Sequence, residues 1–379
     1  MQLQILHAYK SYKPDPTGGV AEAISTIVSA HDSRLNHSIL VARAYGLSTG
    51  FVDNGVPVRA VSSLGTCWSM PIAPGYATAL ARAARHVDLV VHHAPFPLAD
   101  LGLTFPLPKR VALIVHWHAE IFQPRAILGL VAPLLRHSLR RADRIIVAHQ
   151  SIIQNSRFLQ EFSRKCVVIP YGIDAAYWTE LTDQQHQQVH QLRKRYPRLI
   201  VSTGRLVPYK GYGVLLHALQ QIDATLTIIG EGPLREQLLA TANNLNISDR
   251  FNLLGHQERD NMKLLLHAAQ VFAFSSVSAA ESFGIAQLEA MAAGLPIVNT
   301  ALPTAVPHVA RHEIEALTVP PADANALASA LSRLLDDKAL AMRLGHAGHI
   351  HVEKEFSRAK FLSRIKRIYE ETVLQRRSA

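Results

Sequence analysis

The chain has few cysteines and few charged residues for its length. It holds 2 cysteines, Cys67 and Cys166, among 379 residues, and these are too few for a disulfide framework and too far apart for a zinc site. Charged residues make up 18 % and hydrophobic residues 48 %, so we expect two folded domains of ordinary size and no long disordered arm. A reducing, cytoplasmic location is the corresponding expectation.

A long apolar run and a leader are also missing. The longest uncharged apolar stretch, Ala126 to Leu135, is far shorter than the roughly 20 residues that cross a bilayer. Met1 to Lys10 has neither the basic start nor the apolar middle and cleavage site of a signal peptide. We therefore expect no transmembrane helix and no export.

Metal-site and dinucleotide motifs are absent from the sequence. It contains no Asp-x-Asp, no His-Glu-x-x-His and no Cys-x-x-Cys, so we predict no metal and no other cofactor. The missing Gly-x-Gly-x-x-Gly turn argues against a nicotinamide dehydrogenase, and the lack of a groove-reading helix argues against nucleic acid as a partner. Any phosphate group would have to be neutralised by Arg, Lys and backbone amides.

Positive charge is concentrated in the first half of the chain. The formal net charge is +10, and residues 1–170 carry 17 Lys and Arg against 9 Asp and Glu, whereas the remainder carries 22 against 20. Such an excess is compatible with nucleic acid, an anionic membrane surface or a phosphorylated substrate. Charge alone does not choose among these partners.

Short apolar runs alternate with helical patterns in both halves, which is typical of an α/β fold with parallel sheets. The runs are 3–6, 37–42, 87–92, 111–115, 144–148 and 166–169 in the first half, and 199–202, 224–229, 251–254, 271–274, 296–299 and 317–319 in the second. Between them, Tyr171 to Arg195 is polar and has no strand pattern, so we interpret it as a domain connection. The sequence thus predicts two Rossmann-like units in tandem, followed by a helix from Phe356 to Gln375.

Two cations lie in a glycine-bounded loop after the first strand of the second half. The loop Gly204 to Gly211 contains Arg205 and Lys210. The planar guanidinium of the arginine and the compact ammonium group of the lysine together suit a diphosphate. Open α/β sheets bind ligands at this end of their strands. Solvated surface charges are the alternative.

Two glutamates of the second half, Glu281 and Glu289, lie just before and within a predicted helix. Glu281-Ser282-Phe283-Gly284 precedes a helix whose first amides could bind an anion, and Glu289 lies inside that helix among apolar residues. A ribose diol would satisfy Glu289, and the alternative is a partly exposed helix charge. Gly230-Glu231-Gly232-Pro233 is interpreted as an ordinary turn from strand to helix.

Two features of the first half are weaker signals. Gly18-Gly19 at a helix start would allow a phosphate or sugar to approach closely, although an ordinary turn is also compatible. His116 and His118 follow a strong strand and share one face, with His118 further towards the strand end. Surface or satisfied core histidines are the alternative.

The segment Ala126 to Arg144 combines apolar residues at helical spacing with a basic C-terminal end. The cations are Arg136, Arg140, Arg141 and Arg144. An interfacial helix on an anionic membrane fits this pattern. A domain helix with its apolar stripe in the core fits it equally.

Taken together, four motifs resemble the retaining glycosyltransferases of family GT4, which have the GT-B fold. They are Gly204-Arg205 to Lys210-Gly211, Glu281-Ser282-Phe283-Gly284 with Glu289, Gly18-Gly19, and Ile169-Pro170-Tyr171-Gly172-Ile173-Asp174. The resemblance implies two Rossmann-like domains facing a central cleft. It implies an acceptor domain at 1–176, a nucleotide-sugar domain at 177–355 and a C-terminal helix at 356–379 that crosses back to the first domain.

The resemblance also implies roles for individual residues. Arg205 and Lys210 would hold the donor diphosphate, Glu289 the ribose and Glu281 the donor sugar, while His118 would lie near the transferred sugar. The implied catalytic residues are His118, Arg205, Lys210 and Glu281, and the implied donor-binding residues are Gly18, Gly19, Gly204, Arg205, Lys210, Glu281, Ser282, Phe283, Gly284, Ile285 and Glu289.

More narrowly, Tyr9-Lys10 to Tyr12-Lys13-Pro14-Asp15 before Gly18-Gly19 is similar to bacterial mannosyl- and rhamnosyltransferases of O-antigen and exopolysaccharide assembly. This implies a GDP-mannose donor, a polyprenyl-diphosphate-linked saccharide acceptor and a peripheral position on the cytoplasmic face of the inner membrane. Ala21 departs from the Glu common in such relatives, and Glu313 to Leu317 lacks the usual glycines. A UDP-sugar transferase and a non-catalytic nucleotide-sugar binder are the alternatives.

Overall fold

The computed structural model describes residues 2–15, 18–30, 32–67, 70–120 and 125–378, with only the backbone for residues 125–127 and 130. The chain forms two compact units. Unit 1 comprises Met1–Tyr171 and Phe361–Ala379, and unit 2 comprises Gly172–Lys360. The divisions expected from the sequence fall after residues 176 and 355.

Unit 1 alternates strands and helices from the N-terminus onward. Its strands are β1 (Leu3–Ala8), β2 (Leu35–Ala42), β3 (Thr49–Asp53), β4 (Val56–Val61), β5 (Thr66–Cys67), β6 (Met70–Pro71), β7 (Leu89–Ala94), β8 (Ala112–Trp117), β9 (Arg144–Val147) and β10 (Cys166–Val168). Its first helices are α1 (Gly19–Val28), α2 (Tyr76–Ala83), α3 (Pro97–Gly102), α4 (Arg125–Arg141) and α5 (Gln150–Asn155).

Unit 2 repeats the alternation of strands and helices. Its strands are β11 (Leu199–Thr203), β12 (Thr225–Ile229), β13 (Phe251–Leu253), β14 (Val271–Ala273), β15 (Ile297–Thr300) and β16 (Ala316–Val319). Its helices are α6 (Ala175–Thr179), α7 (Asp183–Arg195), α8 (Tyr212–Leu219), α9 (Arg235–Asn244), α10 (Arg259–Ala268), α11 (Ile285–Ala292), α12 (Val306–Val309), α13 (Ala324–Asp336) and α14 (Lys338–Glu355). The last helix, α15 (Arg358–Ser378), begins in unit 2 and belongs to unit 1 from Phe361 onward.

Within the described residues the main sheet of unit 1 has eight strands in the order β10-β9-β8-β7-β1-β2-β4-β3, and β5 and β6 form a separate hairpin. All pairs in the main sheet are parallel except β3 with β4. β7 and β8 are buried at every position, as expected for central strands covered on both faces. Helix α15 packs on this unit, and its Arg377 guanidinium donates to Asp88 at 2.8 Å.

The sheet of unit 2, within the same described part, has six parallel strands in the order β13-β12-β11-β14-β15-β16. This is the Rossmann order, in which the chain reverses direction across the sheet between β11 and β14. Ligands bind such sheets outside the carboxyl ends of the strands at that point. The predicted α/β class with two Rossmann-like parallel-sheet units is confirmed.

Sequence reasoning located the central strands but missed the hairpin β3–β4, although the alternation of buried and exposed positions in β4 was a usable signal. The polar segment interpreted as a connection contains the helices α6 and α7. Helix α7 begins with a capping box in which Thr182 and Gln185 bond each other's backbone amides, and it buries Val189. None of the described helices is long and apolar enough to cross a membrane.

Candidate active site

The loop after β11 is fixed against the strand end of β14. Ser275 Oγ donates to the Lys210 carbonyl at 2.9 Å, and the Val277 amide donates to the Tyr209 carbonyl at 2.8 Å. These bonds hold Lys210 at the point where ligands enter a Rossmann sheet.

Lys210 and Glu281 form an ion pair at this point. Lys210 Nζ lies 2.6 Å from Glu281 Oε2, with the two side chains only 13 % and 12 % exposed. Ser276 Oγ donates to the same carboxylate oxygen at 3.2 Å. Burial lowers the pKa of Lys210, but Glu281, Tyr212 and Tyr209 together raise it by more, so the net shift is upward and the lysine stays cationic.

Arg205 is exposed on the same loop, beside a second glycine loop. The Leu206 amide donates to the Glu231 carbonyl at 2.8 Å. Gly230 has φ +150°, and a Cβ on it would lie 2.0 Å from the Gly204 carbonyl oxygen, so only glycine fits there. The segment interpreted as an ordinary turn is therefore part of the wall of this site.

Beside that wall lies an open pocket of about 470 Å³. It is lined by Glu231, Gly232, Arg235, Leu254, Gly255 and His256. The His256 amide donates to Glu231 Oε1 at 3.4 Å. The pocket offers a carboxylate, a guanidinium and backbone groups, which can recognise a polar heterocycle. Sequence reasoning missed Glu231 and Arg235, although a glutamate between two glycines after a strand was a usable signal.

The predicted anion site at α11 has the expected backbone geometry. Gly284 caps the helix with φ +81°, and a Cβ there would approach the Phe274 ring to 2.8 Å. The first amides of a helix have no partner within it, so those near Ile285 suit a phosphate. Phe283 is 3 % exposed and packs edge-on against Phe356, so only its backbone can serve the site. Ser282 is half-buried in the turn.

Glu289 lies half-buried on α11 near a group of charged and aromatic residues. Tyr177 on α6 donates to Asp260 Oδ1 at 2.7 Å, and the Arg259 guanidinium lies 4.7 Å from the Tyr177 ring centre. Burial, Asp260 and, more weakly, Glu289 raise the pKa of Tyr177 to about 12. Sequence reasoning did not anticipate these neighbours of Glu289.

Unit 1 contains a buried chain of histidines that ends at His118. The nitrogen pairs are His37 Nδ1 with His7 Nε2 at 2.9 Å, His7 Nδ1 with His93 Nε2 at 3.0 Å, and His93 Nδ1 with His118 Nε2 at 2.8 Å; His118 Nδ1 then bonds the Tyr171 hydroxyl. All four rings are at most 6 % exposed. Both nitrogens of His118 are therefore engaged within unit 1.

Sheet register explains why these rings meet. His7 pairs with Val91 and His93 with His116, so side chains on neighbouring parallel strands project from one face. Sequence reasoning identified His116 and His118 but missed the other three, because adjacency across strands depends on the strand order. The pair His92-His93 at a strand end was the available signal.

Burial keeps the whole group neutral. It lowers the pKa of His37 to about 4 and that of His116 to about 3, and it lowers the pKa of His7, His93 and His118 well below the usual value. Imidazoles in this state act as both donor and acceptor.

Three of the rings also form a group with metal-ligand chemistry. Nitrogens of His93, His116 and His118 all lie within 4.8 Å of one another. Imidazole suits zinc, copper or nickel better than magnesium. His93 Nδ1 and His118 Nε2 are hydrogen-bonded to each other at 2.8 Å, and His118 Nδ1 bonds the Tyr171 hydroxyl. In this arrangement both nitrogens of His118 therefore serve hydrogen bonds within the protein.

The predicted site residues are divided between the two units, and among them a contact joins Lys210 and Glu281. Gly204, Arg205, Lys210, Glu281, Ser282, Phe283, Gly284, Ile285 and Glu289 belong to unit 2, whereas Gly18, Gly19 and His118 belong to unit 1. Gly18 is the exposed cap of α1, and a Cβ added to it would meet open space, so sterics do not require glycine there.

Helix α4 is a domain helix over its described C-terminal part. Leu135 and Leu139 are fully buried, and the Arg141 guanidinium donates to the carbonyls of Leu103 and, at 2.7 Å, Phe105. Arg144 starts β9 instead of extending the helix. The side chains of 126, 127 and 130 lie outside the described residues. The apolar stripe from 131 onward is thus covered by protein, as the core alternative predicted.

Two family models and several known proteins match this chain. Residues 183–350 match the family model Glycosyl transferases group 1, and residues 17–177 match Glycosyltransferase Family 4. The D-rhamnosyltransferase WbpZ of Pseudomonas aeruginosa is 27 % identical over 94 % of this chain and 92 % of its own. A GDP-mannose-dependent monoacylated α-(1-6)-phosphatidylinositol monomannoside mannosyltransferase of Corynebacterium glutamicum is 31 % identical over 72 % and 74 %.

Among solved structures, Anabaena HepE in complex with UDP superposes with a TM-score of 0.77, covering 98 % of this chain and 100 % of the other at 20 % identity. The likeness shows a shared fold. Together with the two family models and the two relatives, it identifies the chain as a glycosyltransferase of family GT4 with the GT-B fold.

Proposed function

We propose that this protein is a retaining, metal-independent hexosyltransferase. It transfers mannose from GDP-mannose, or a related GDP-deoxyhexose, to a polyprenyl-diphosphate-linked saccharide during synthesis of a bacterial surface or exopolysaccharide. The observation that carries the proposal is the Lys210–Glu281 pair at the switch point of the unit 2 sheet, which sets a cation for a diphosphate beside a carboxylate for sugar hydroxyls.

Other groups of unit 2 each bind a different part of the donor. Arg205 and the first amides of α11 complete the positive surroundings of the diphosphate. The pocket at Glu231 and Arg235 takes the base, where guanine would offer an amide edge and an exocyclic amine. Glu289 accepts hydrogen bonds from the ribose.

The chemistry follows a front-face route. The bond from the anomeric carbon to the diphosphate oxygen breaks while the acceptor oxygen bonds to the same carbon, and the acceptor proton passes to the leaving diphosphate. Such a step depends on positioning and on stabilising the charge that develops on the diphosphate. Lys210 and Arg205 supply that stabilisation without a metal.

The assignment of mannose and of a lipid-linked acceptor is based on the opening Tyr9 to Gly19 stretch and on the known relatives. One relative is a GDP-mannose-dependent enzyme that acts on a phosphatidylinositol-based acceptor. A lipid-linked acceptor requires the enzyme to reach the membrane surface. We accordingly propose a cytoplasmic protein that binds peripherally to the inner membrane.

Calorimetric titration with GDP and with UDP tests the donor site. We expect GDP to bind more tightly than UDP, since a pocket built for one base leaves its polar groups unpaired with the other. Lys210→Ala should weaken GDP binding, whereas the exposed Lys338→Ala on α14 should not. Tighter binding of UDP would favour the UDP-sugar alternative, and no binding of either nucleotide would contradict a donor site.

A further inference from the structure

The histidine chain in unit 1 has no role in the donor chemistry described above. It runs without a break from Tyr171 and His118, through His93 and His7, to His37. We propose that His93, His7 and His37 are positioning residues that set the tautomer of His118, so that its Nδ1 accepts a hydrogen bond from the hydroxyl facing it.

The linkage follows from the atoms that face each other. In His7, His93 and His118, one ring nitrogen faces the preceding residue of this hydrogen-bonded series and the other faces the next. A neutral imidazole carries one N–H, so each contact needs a proton from one side only. Two arrangements satisfy every contact at once: all four rings protonated at Nε2, or all four at Nδ1. Any mixed arrangement leaves two N–H groups or two lone pairs facing each other in a buried site, which is costly.

The surroundings of His37, at the end of the histidine chain away from His118, select between the two arrangements. His37 uses Nδ1 for His7, so Nε2 is its remaining nitrogen. His37, Asp32 and Lys366 line one cavity of about 160 Å³, in which Asp32 is paired with Lys366 of α15. Burial lowers the pKa of His37; of these two charges, the Asp32 carboxylate is the one that shifts this pKa, and it shifts it upward, which outweighs any effect of the Lys366 ammonium. A carboxylate next to the free end of His37 favours an N–H over a lone pair at Nε2, and hence the arrangement with every Nε2 protonated.

The other groups around the chain do not disturb this choice. Tyr9 lies edge-on to His93 and His118 at 6.2 and 6.5 Å, Tyr369 of α15 lies 6.2 Å from His7, and His116 stacks on His118 at 4.2 Å between ring centres. Tyr171 and Tyr369 have a pKa raised by burial, and His116 is neutral. Asp32 and Lys366 are thus the charges that face the chain at its His37 end.

In the selected arrangement His118 Nε2–H donates to His93, and His118 Nδ1 accepts from the Tyr171 hydroxyl. A sugar hydroxyl that replaced Tyr171 would meet an acceptor at that position. This consequence rests on the proposed function and on the GT4 resemblance that places His118 near the transferred sugar, whereas the tautomer itself rests on neither.

Nuclear magnetic resonance of the full chain labelled with ¹⁵N-histidine tests the inference without any substrate. Two-bond correlations within each ring report which nitrogen carries the proton. At pH 7 we expect His7, His37, His93 and His118 all to be neutral and protonated at Nε2. A different tautomer at His118 from that at His93 would overturn the proposal in the unmodified protein.

Substitution at the far end tests the coupling. Asp32→Asn removes the carboxylate and offers an amide donor to His37, so the Nδ1–H form of His118 should gain population. Asp88→Asn is the matched control, because Asp88 also binds a cation of α15 but lies outside the cavity. A shift at His37 with none at His118 would contradict the coupling.

Turnover gives an independent readout. In transfer assays Asp32→Asn should lower kcat by about tenfold, the equivalent of one lost hydrogen bond, with the donor KM little changed. Asp88→Asn should retain the full rate. Equal rates for both variants would remove the catalytic consequence, while an inactive unmodified protein would instead contradict the proposed function and leave the resonance result standing.

Discussion

Lys210 Nζ and Glu281 Oε2 lie 2.6 Å apart in a part of unit 2 where both side chains are nearly buried. The cation assigned to the diphosphate is thus held by a carboxylate before any donor binds. Because the loop of Lys210 is also tied to Ser275, neither group has to move far to meet a nucleotide sugar. Such fixed charges cost little reorganisation when the reaction occurs.

Lys210→Ala and Arg205→Ala should each slow transfer by at least about 100-fold, because each removes one preorganised partner of the leaving diphosphate. Lys210→Ala should also leave Glu281 without its cation. Steady-state kinetics with a saturating donor measures the effect, and Arg198→Ala, whose partner Asp336 lies on the surface, is the control. Near-native turnover in both site variants would rule out this assignment.

Activity should survive exhaustive treatment with EDTA. The described residues around Lys210 offer cations and amides to the diphosphate, and no step of the proposed route needs a metal. Transfer is measured before and after chelation and dialysis. Complete loss of transfer that added Mg²⁺ or Mn²⁺ restores would contradict the metal-independent route.

Stability of unit 1 should fall on mild acidification. Unfolded histidines titrate near pH 6.5, whereas burial lowers the pKa of His37 to about 4 in the folded protein. The folded state then binds fewer protons, so stability is fully present above about pH 6.5 and is lost as the pH falls towards 4. For His37 alone, this acidification lowers the free energy of unfolding by about 3 kcal/mol.

Calorimetric melting between pH 7.5 and pH 5 measures this dependence. A His37→Phe variant should show a shallower fall in Tm over that range. The exposed His256→Gln variant should follow the unmodified protein. A melting temperature independent of pH would contradict neutral burial of the chain.

Much of the fold was predictable from the sequence, and the site only in part. Fully buried strands such as β8 appear in the sequence as continuous apolar runs. The two cations and the flanking glycines of the Gly204 to Gly211 loop can likewise be recognised from neighbouring residues alone. The Lys210–Glu281 pair joins residues 71 positions apart, and the histidine chain depends on β1 lying between β2 and β7. The order of the strands in a sheet cannot be deduced from local sequence patterns.

Helix α4 shows the same limit. Its sequence was compatible with a membrane surface and with a core, and burial of Leu135 and Leu139 selects the core for the described part. Arg141→Ala should destabilise unit 1 by about 2 kcal/mol, because two carbonyls lose a charged donor. Arg140→Ala, which loses only a 4.0 Å contact with the exposed Glu161, should stay within about 0.5 kcal/mol. Denaturant unfolding that ranked the two variants in reverse would contradict this packing.

The proposed transfer reaction is tested by product formation from a panel of radiolabelled nucleotide sugars, with a polyprenyl-diphosphate-linked saccharide as acceptor. We expect transfer from GDP-mannose or a GDP-deoxyhexose with retention at the anomeric carbon, and loss of that product in Lys210→Ala. Transfer from a UDP-sugar alone, or binding of nucleotide sugars without any product, would contradict it.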